Sequence, residues 1–470
     1  MKRRAFLRSA GSTVAASCLV PRLLAVQNKT LHDGEILHAT MTVNGSTKLA
    51  IIPLDYTGLS YESAQLANPE FFAAGNEALI ALFRGLGQQG VLRLGGGTSE
   101  FTAFTTHEQT GPPSFDAVGP DTSKNVKSDT PVTPKSLRNL SAFLDATDWR
   151  CLYGLNLGRG RVERAAEEAF YVYSILGQRL IAFQLGNEPD AWRNRYRSST
   201  WTYADYWKEW VVARKSVLER VPQAKFAGPD VSNKMAYVTG FADDVKKDAM
   251  DVVMLTSHYY AMGPAGAKDV TMDKLLSPDP KLERDLKIAM EAARGARLPY
   301  RMCEGNSCWN GGQEGVSDTL ASALWVLDMM LSFAAMGCAG VNLHGGGSGF
   351  YTPITGSSKN GFLPRPEYFG MELAKEFVGG TLVQSTLVCS SDRVRAFAAQ
   401  KDGVLLVLAI NKTEQAVAME TPLRNTREGW LLTGPAIDAK QGVTLTREHG
   451  NALQDGVLYI RPNSALLLKG

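Results

Sequence analysis

Eight short apolar runs, separated by stretches patterned as amphipathic helices, constrain the fold of this chain more than any other feature. The runs are LAIIPLDYTGLSYE, GVLRLGGG, RCLYGLNLG, LIAFQLGNEPD, KFAGPD, VVMLTSHYY, YRMCEGNS and AGVNLHGG. Each is continuous rather than alternating, the pattern of a parallel strand buried on both faces. Helical candidates lie between them. PKSLRNLSAFLDAT has Pro at a first helical position, and RVERAAEEAFYVYSILGQ stops at Gly177. YADYWKEWVVARKSVLERV, LERDLKIAMEAARG and SDTLASALWVLDMMLSFAAMG follow, the last with Ser317-Asp318 as its expected cap. PEYFGMELAKEFVG opens at Pro366 after the eighth run. Eight such units in strict alternation predict an α/β fold, a (β/α)8 TIM barrel over residues 50–378. An open doubly wound sheet would carry a phosphate loop after its first strand, and none follows the first run. LGGG at 94–97 lacks the GxGxxG spacing and reads as a close backbone approach near the barrel mouth.

After Gly380 the pattern alternates and turns punctuate it, at Lys401-Asp402-Gly403 and Asn411-Lys412. This predicts a C-terminal β-sandwich domain over 379–470. Residues 27–49 are expected to join it, with an Asn44-Gly45 turn between two strand-like halves. The Thr-, Pro-, Ser- and Gly-rich segment 102–133 reads as a loop over the barrel mouth. Residues 1–26 have the architecture of a secretory signal, and Arg3-Arg4 resembles a twin-arginine motif. Export to the periplasm or the extracellular space is the expectation, with no stable membrane anchor. The leader also carries the apparent basicity. Without Lys2, Arg3, Arg4, Arg8 and Arg22 the formal charge falls from +3 to −2, which gives no electrostatic case for a nucleic-acid partner. Outside Cys18 of the leader, five cysteines remain, an odd number without metal-finger spacing. Cys303 and Cys308 flank a short loop and could pair. No oligomer signal is readable.

The chemistry concentrates at two run ends. QLGNEPD places Glu188 where the fourth strand should end, at the carboxyl face on which barrel enzymes build their sites. Asn187 beside it supplies an amide able to meet a sugar 2-hydroxyl. YRMCEGNSCW puts Glu304 at the corresponding position of the seventh strand. Two carboxyls facing each other across a barrel mouth suit glycosidic bond cleavage. Retention of configuration needs them roughly 5–5.5 Å apart, and inversion roughly 6.5–9.5 Å. His258 and Tyr259, ending the sixth run, are candidates to orient the nucleophile and stack on a sugar. Arg93 would hold Glu304 ionised by charge pairing. Asn342 and His344 end the eighth run and are further candidates for the pocket. The six histidines are scattered, so neither a metal nor another cofactor is expected.

This constellation resembles the retaining glycosidases of clan A. GVSDTLASALW at 315–325 and GVNLHGGG at 340–347 are similar to segments of glycoside hydrolase family 79, the β-glucuronidase and heparanase-like family. GLSYE at 58–62 and LRLGGGTSEF at 92–101 share that likeness, which runs from about residue 50 to the carboxy terminus. The resemblance implies Glu188 as acid/base, Glu304 as nucleophile, Asn187 near the 2-hydroxyl and Glu62 on sugar hydroxyls. It implies that Trp309, Gly311 and Tyr351 hold a uronic acid carboxylate. Trp309 departs from the family pattern, where a tyrosine phenol is expected. The substrate expectation is therefore a terminal β-linked (4-O-methyl)glucuronic acid. A neutral β-glucoside or β-xyloside is the alternative, and a non-catalytic carbohydrate-binding protein the remote one.

Overall fold

The computed structural model describes residues 36–106, 130–347, 349–426, 428–448 and 452–470. The leader and the centre of the 102–133 segment lie outside the described residues. All eight apolar runs are strands of one closed parallel barrel. In order they are Thr57–Glu62, Gly90–Gly95, Trp149–Leu155, Leu180–Leu185, Phe226–Val231, Val252–Pro264, Tyr300–Trp309 and Gly340–His344. The eighth closes on the first, with Val341 opposite Thr57 and His344 opposite Ser60. Val91, Leu152, Ala182, Ala227 and Cys303 form one fully buried cluster inside the barrel. Their neighbours Leu92, Cys151, Phe183, Phe226 and Met302 belong to the larger core shared with the helices. Both strand faces are thus apolar, which is why the runs read as continuous.

The expected helices form, and among the described residues three more join them, one of them the single turn Met272–Leu276. Thr133 caps Pro134–Thr147 through a reciprocal box with Ser136, and Val162–Leu176 stops at Gly177. Glu77–Leu86 and Met235–Asp248 are helices that the sequence reading missed. One expected cap is corrected. The helix Leu320–Ala335 begins after Thr319, because Ser317 Oγ is engaged with Ser307 and Asp318 accepts the Gly315 N–H.

The carboxy-terminal strands form a ten-stranded curled sheet. Alternate residues of Val404–Asn411 serve two cores. Val407 and Ala409 pack within the sheet domain, while Leu406, Leu408 and Ile410 join the core shared with the barrel. The expected hairpin at Asn44-Gly45 does not form. Leu37–Ile51 is a single strand, antiparallel to Thr381–Cys389 and parallel to Val417–Glu420. Asn44 Oδ1 instead accepts the Ser46 N–H, and the register slips between Asn44 and Lys48. That is a bulge rather than a turn. In the 102–133 segment, Thr102–Phe104 and Thr130–Val132 pair as two short parallel strands.

The cysteines of the described residues are thiols, four of them buried. Cys303 and Cys308 share the seventh barrel strand and are both free thiols. Cys303 lies in the barrel-interior cluster and Cys308 in the outer core, so they do not meet. No helix of the described residues is long and apolar enough to cross a membrane.

Candidate active site

Polar side chains replace apolar ones toward the carboxyl ends of the barrel strands. Arg93 lies two residues beyond Val91 on the same strand face and is fully buried. Its Nη1 donates to Glu304 Oε2 at 2.6 Å and to Ser60 Oγ, and its Nη2 donates to Asp230 and to Asn187 Oδ1 at 2.7 Å. Its Nε donates to Gln184 Oε1. Gly95 and Gly96 make room for this arrangement. A Cβ on Gly95 would meet the Arg93 guanidinium at 2.2 Å, and one on Gly96 would strike the Glu62 carboxyl at 2.5 Å. The LGGG segment is therefore the close approach that its sequence suggested.

Glu304 owes its orientation to a bulge. Met302 pairs with Ser257 but Glu304 with His258, so the seventh strand carries one extra residue, Cys303, against the sixth. Bulges re-aim side chains, and here Cys303 and Glu304 both turn toward the interior. Glu304 Oε1 accepts the Tyr260 O–H at 2.9 Å, which with Arg93 occupies both oxygens. Burial would raise its pKa. The charges of His344, His258 and Arg93, with the Tyr260 hydrogen bond, outweigh burial and hold the carboxyl well below the usual range.

Glu188 differs in backbone and environment. It sits in the left-handed region at φ 49° and ψ 54°, just before Pro189, a conformation rare for a residue with a Cβ. Its side chain is 26% exposed, against 8% for Glu304. Burial raises its pKa; the His258 hydrogen bond and charge oppose this, and the charge of Glu304 reinforces it, leaving the carboxyl above its ordinary value. His258 bridges the site, with Nδ1 3.1 Å from Glu188 Oε1 and Nε2 3.2 Å from Asp230 Oδ1. Burial would lower the imidazole pKa, but the charges of Glu304 and Asp230 and the hydrogen bonds push it up to about 10. One oxygen of Glu188, one of Glu304 and a nitrogen of His258 all lie within 4.8 Å of one another. Such a trio has the reach of a metal site. Its donors are already engaged: Glu304 by Arg93 and Tyr260, and His258 as a protonated ring that offers no lone pair.

Asn187 has its carbonyl on Arg93, which turns its amide N–H2 away from the guanidinium. Glu62 is buried, accepts the Thr98 N–H and O–H, and lies 3.5 Å from His344 Nε2. Tyr351 is buried with its ring beside those of Tyr260 and His344. Gly311, at φ 84°, accepts the Phe350 N–H and so ties the loop that carries Tyr351 to the seventh strand. Trp309 is not among these buried groups. Its side chain is 44% exposed on the rim, where the strand ends.

Tyr259 is a correction. Its hydroxyl donates to Asp279 at 2.7 Å and its ring packs on Phe333, outside the barrel. Side chains alternate along a strand, so with His258 inward the inward tyrosine is Tyr260. Asn342 is another. Its amide bonds the Leu59 and Val91 carbonyls and its Oδ1 accepts from Arg301, deep in the barrel rather than at the mouth. Asp230, Tyr260, Gln184 and Glu100 were missed. Asp230 ends the KFAGPD run, a strand-end carboxyl like the two singled out, so its signal was present.

No family model matches the chain. It is 25% identical over 437 residues to a β-glucuronidase of Aspergillus niger, covering 86% of this chain and 75% of that protein. It is 26% identical over 225 residues to a hyaluronoglucuronidase of Hirudo nipponia, covering 46% of this chain and 44% of the relative. Among solved structures, a 4-O-α-L-rhamnosyl-β-D-glucuronidase from Fusarium oxysporum superposes with a TM-score of 0.70 at 17% identity, over 92% of this chain and all of that one. A family 51 arabinofuranosidase from Xanthomonas axonopodis pv. citri gives 0.64 at 14% identity, over 92% and 99%. These structural likenesses show the fold, an eight-stranded barrel with an appended β-domain.

Proposed function

We propose that the chain is an exported, retaining β-glucuronidase of the family 79 type, releasing terminal β-linked glucuronic acid, plain or 4-O-methylated, from glycoconjugates or polysaccharides. The observation that carries this reading is the pair Glu188 and Glu304. Their oxygens come within 4.8 Å, and their environments push their pKa values apart. Such a split assigns an acid and a nucleophile, and the short separation favours direct attack over an intervening water.

Glu304, held ionised, attacks the anomeric carbon. The glycosidic bond breaks as Glu188 delivers its proton to the leaving oxygen. Water then enters, gives a proton to Glu188, and displaces Glu304 from the sugar. His258, donating to one oxygen of Glu188, leaves the other to carry the proton. The Asn187 amide is free to meet the 2-hydroxyl, where a bond that tightens in the transition state lowers the barrier. The buried phenols of Tyr260 and Tyr351 have pKa values raised further by burial and by Glu304, so they remain donors. Tyr351, on the loop tied to Gly311, is the donor best placed for a uronate carboxylate. The names of the sequence relatives support the same sugar.

The test is a panel of aryl β-glycosides with wild type, Glu188→Ala and Glu304→Ala. The glucuronide should be preferred by at least about tenfold over glucoside, galactoside and xyloside. Both variants should lose at least about 100-fold on phenyl glucuronide, the lower end of general-acid contributions. A flat or neutral-preferring profile selects the neutral-sugar reading. Near wild-type turnover by either variant removes that residue's role.

A further inference from the structure

Glu100 is a fully buried carboxylate outside the catalytic pair, and among the described residues no cation lies within ion-pairing distance of it. Three backbone N–H groups converge on it instead. Oε1 accepts from Asn187 at 2.6 Å, and Oε2 accepts from Leu157 at 3.1 Å and from Gly158. Those amides belong to two different loops, one after the third barrel strand and one after the fourth. Gly158 makes the approach possible, since a Cβ there would lie 2.8 Å from Glu100 Oε2 and 3.0 Å from the Tyr196 ring. A buried carboxylate bonded only to backbone does not balance charge. Its effect is to fix where those backbones run.

What it fixes matters because of the turn beside it. Gly186 has φ 84° and Glu188 φ 49°, with Asn187 between them. A left-handed residue that carries a Cβ persists only when its surroundings over-determine it. The restraints are identifiable. Asn187 N–H is held by Glu100, its side-chain carbonyl by Arg93, and its backbone carbonyl by Trp192 Nε1 at 2.8 Å. Glu188 N–H is held by the Asp230 carbonyl at 2.9 Å, and Asp190 accepts the N–H groups of Ser232, Asn233 and Lys234. Glu100 links the turn to the third-strand loop, beside the Gly186 N–H on the Leu155 carbonyl, and it makes no hydrogen bond to Glu304, Tyr260 or His258.

Resting on the glycosidase reading above, we infer that Glu100 is a positioning residue for the acid/base, holding Glu188 in its left-handed turn so that the carboxyl faces the leaving oxygen. Without it the turn relaxes and the acid swings away, while Arg93 still holds both the Asn187 side chain and Glu304 in place. Proton donation is then lost while attack at the anomeric carbon is kept.

Leaving-group dependence separates this from a general structural role. Phenyl β-glucuronide needs its leaving oxygen protonated, whereas 2,4-dinitrophenyl β-glucuronide departs without help. Glu100→Gln places an N–H2 against backbone N–H groups and should lower kcat/KM on the phenyl substrate by about 100-fold. On the dinitrophenyl substrate the same variant should stay within about threefold, with azide accelerating its turnover by intercepting the glycosyl-enzyme. Equal losses on both substrates from an active wild type overturn this inference alone. A wild type inactive on both glucuronides overturns the underlying reading and this one together. Should Glu100→Gln fail to fold, Glu100→Asp, which keeps the charge but shortens the reach, is read on the same pair. The same split is expected, and equal losses again overturn the inference.

Discussion

Two arginines are fully buried in this barrel, and they are surrounded by opposite chemistry. Arg93, near the carboxyl end of the second strand, meets the carboxylates of Asp230 and Glu304. Arg301, at the amino end of the seventh, meets only neutral oxygen. Its Nε donates to Asn342 Oδ1 at 2.6 Å, and its other nitrogens to the carbonyls of Asp55, Tyr56 and Ala339. Burial works against the charge of both. For Arg93 the acids more than compensate and its pKa rises, whereas for Arg301 burial prevails and its pKa falls. The mouth of the barrel thus stores charge that can act on a substrate, and the base uses a cation to satisfy backbone where strands and loops converge. Barrel enzymes divide chemistry and stability between these two ends.

The largest effect should come from breaking the mouth. Arg93→Met leaves two buried carboxylates uncompensated, at a cost of about 3–5 kcal/mol by the precedent of broken buried pairs. Activity should fall by more than about 1000-fold, because Glu304 loses one of the charges that keep it ionised and the hydrogen bond that aims it. The pH dependence sharpens this point. Asp230 and Glu304 have lowered pKa values in the folded state. Their stabilisation is therefore present above the unfolded carboxyl values, near pH 4, and is lost as pH falls through the folded ones. His258 is the reverse case, raised to about 10. Its contribution is complete below about pH 6.5 and fades as pH rises toward 10. Urea titrations from pH 3 to 10 should show both flanks in wild type. In Arg93→Met the acid flank should flatten, and an unchanged acid flank would separate Arg93 from the carboxylates.

Arg301→Met is the matching cut at the base. It leaves carbonyls without donors, a loss of about 3 kcal/mol if two or three go unsatisfied. Below its melting range, kcat/KM should stay within about threefold of wild type. A large kinetic loss with intact stability would erase the distinction between the two ends. The smallest effect comes from two adjacent phenols. Tyr260→Phe removes a hydrogen bond to a charged group, about 1.5–3 kcal/mol, and should cost roughly tenfold or more in kcat/KM. Tyr259→Phe, whose hydroxyl faces Asp279, should leave kinetics unchanged and lower the denaturation midpoint slightly. Reversed outcomes would mean that the sixth strand is turned the other way.

That pair also marks how far the sequence could be read. The barrel was legible because each strand is buried on both faces, so its apolar run stands out against amphipathic helices. Glu188 and Glu304 were legible because strand ends define the active face. Tyr260 was hidden by parity: SHYY offers two tyrosines, and only the inward placement of His258 decides between them. The bulge at Cys303 has no local signature, although it aims Glu304 inward. Met235–Asp248 was obscured by Gly240, a poor helix former that is there because a Cβ would strike the Tyr203 ring at 2.7 Å. Glu77–Leu86 has a helical apolar face, but Asn76 makes no side-chain cap bond. Glu100 needed the folded structure, since its partners come from two loops distant in sequence, whereas Asp230 carried the same strand-end signal as Glu188 and Glu304.

The strand Leu37–Ile51 has a consequence for how the molecule is made. It is the seventh of ten in its sheet, flanked by strands that begin at Thr381 and Val417. During synthesis it leaves the ribosome early and then waits for more than 300 residues of chain before either neighbour exists. The sheet domain therefore cannot mature as a separate carboxy-terminal module, and completing it ties the two ends of the chain together. A barrel that has already closed is still unfinished until that early strand is captured by its two neighbours.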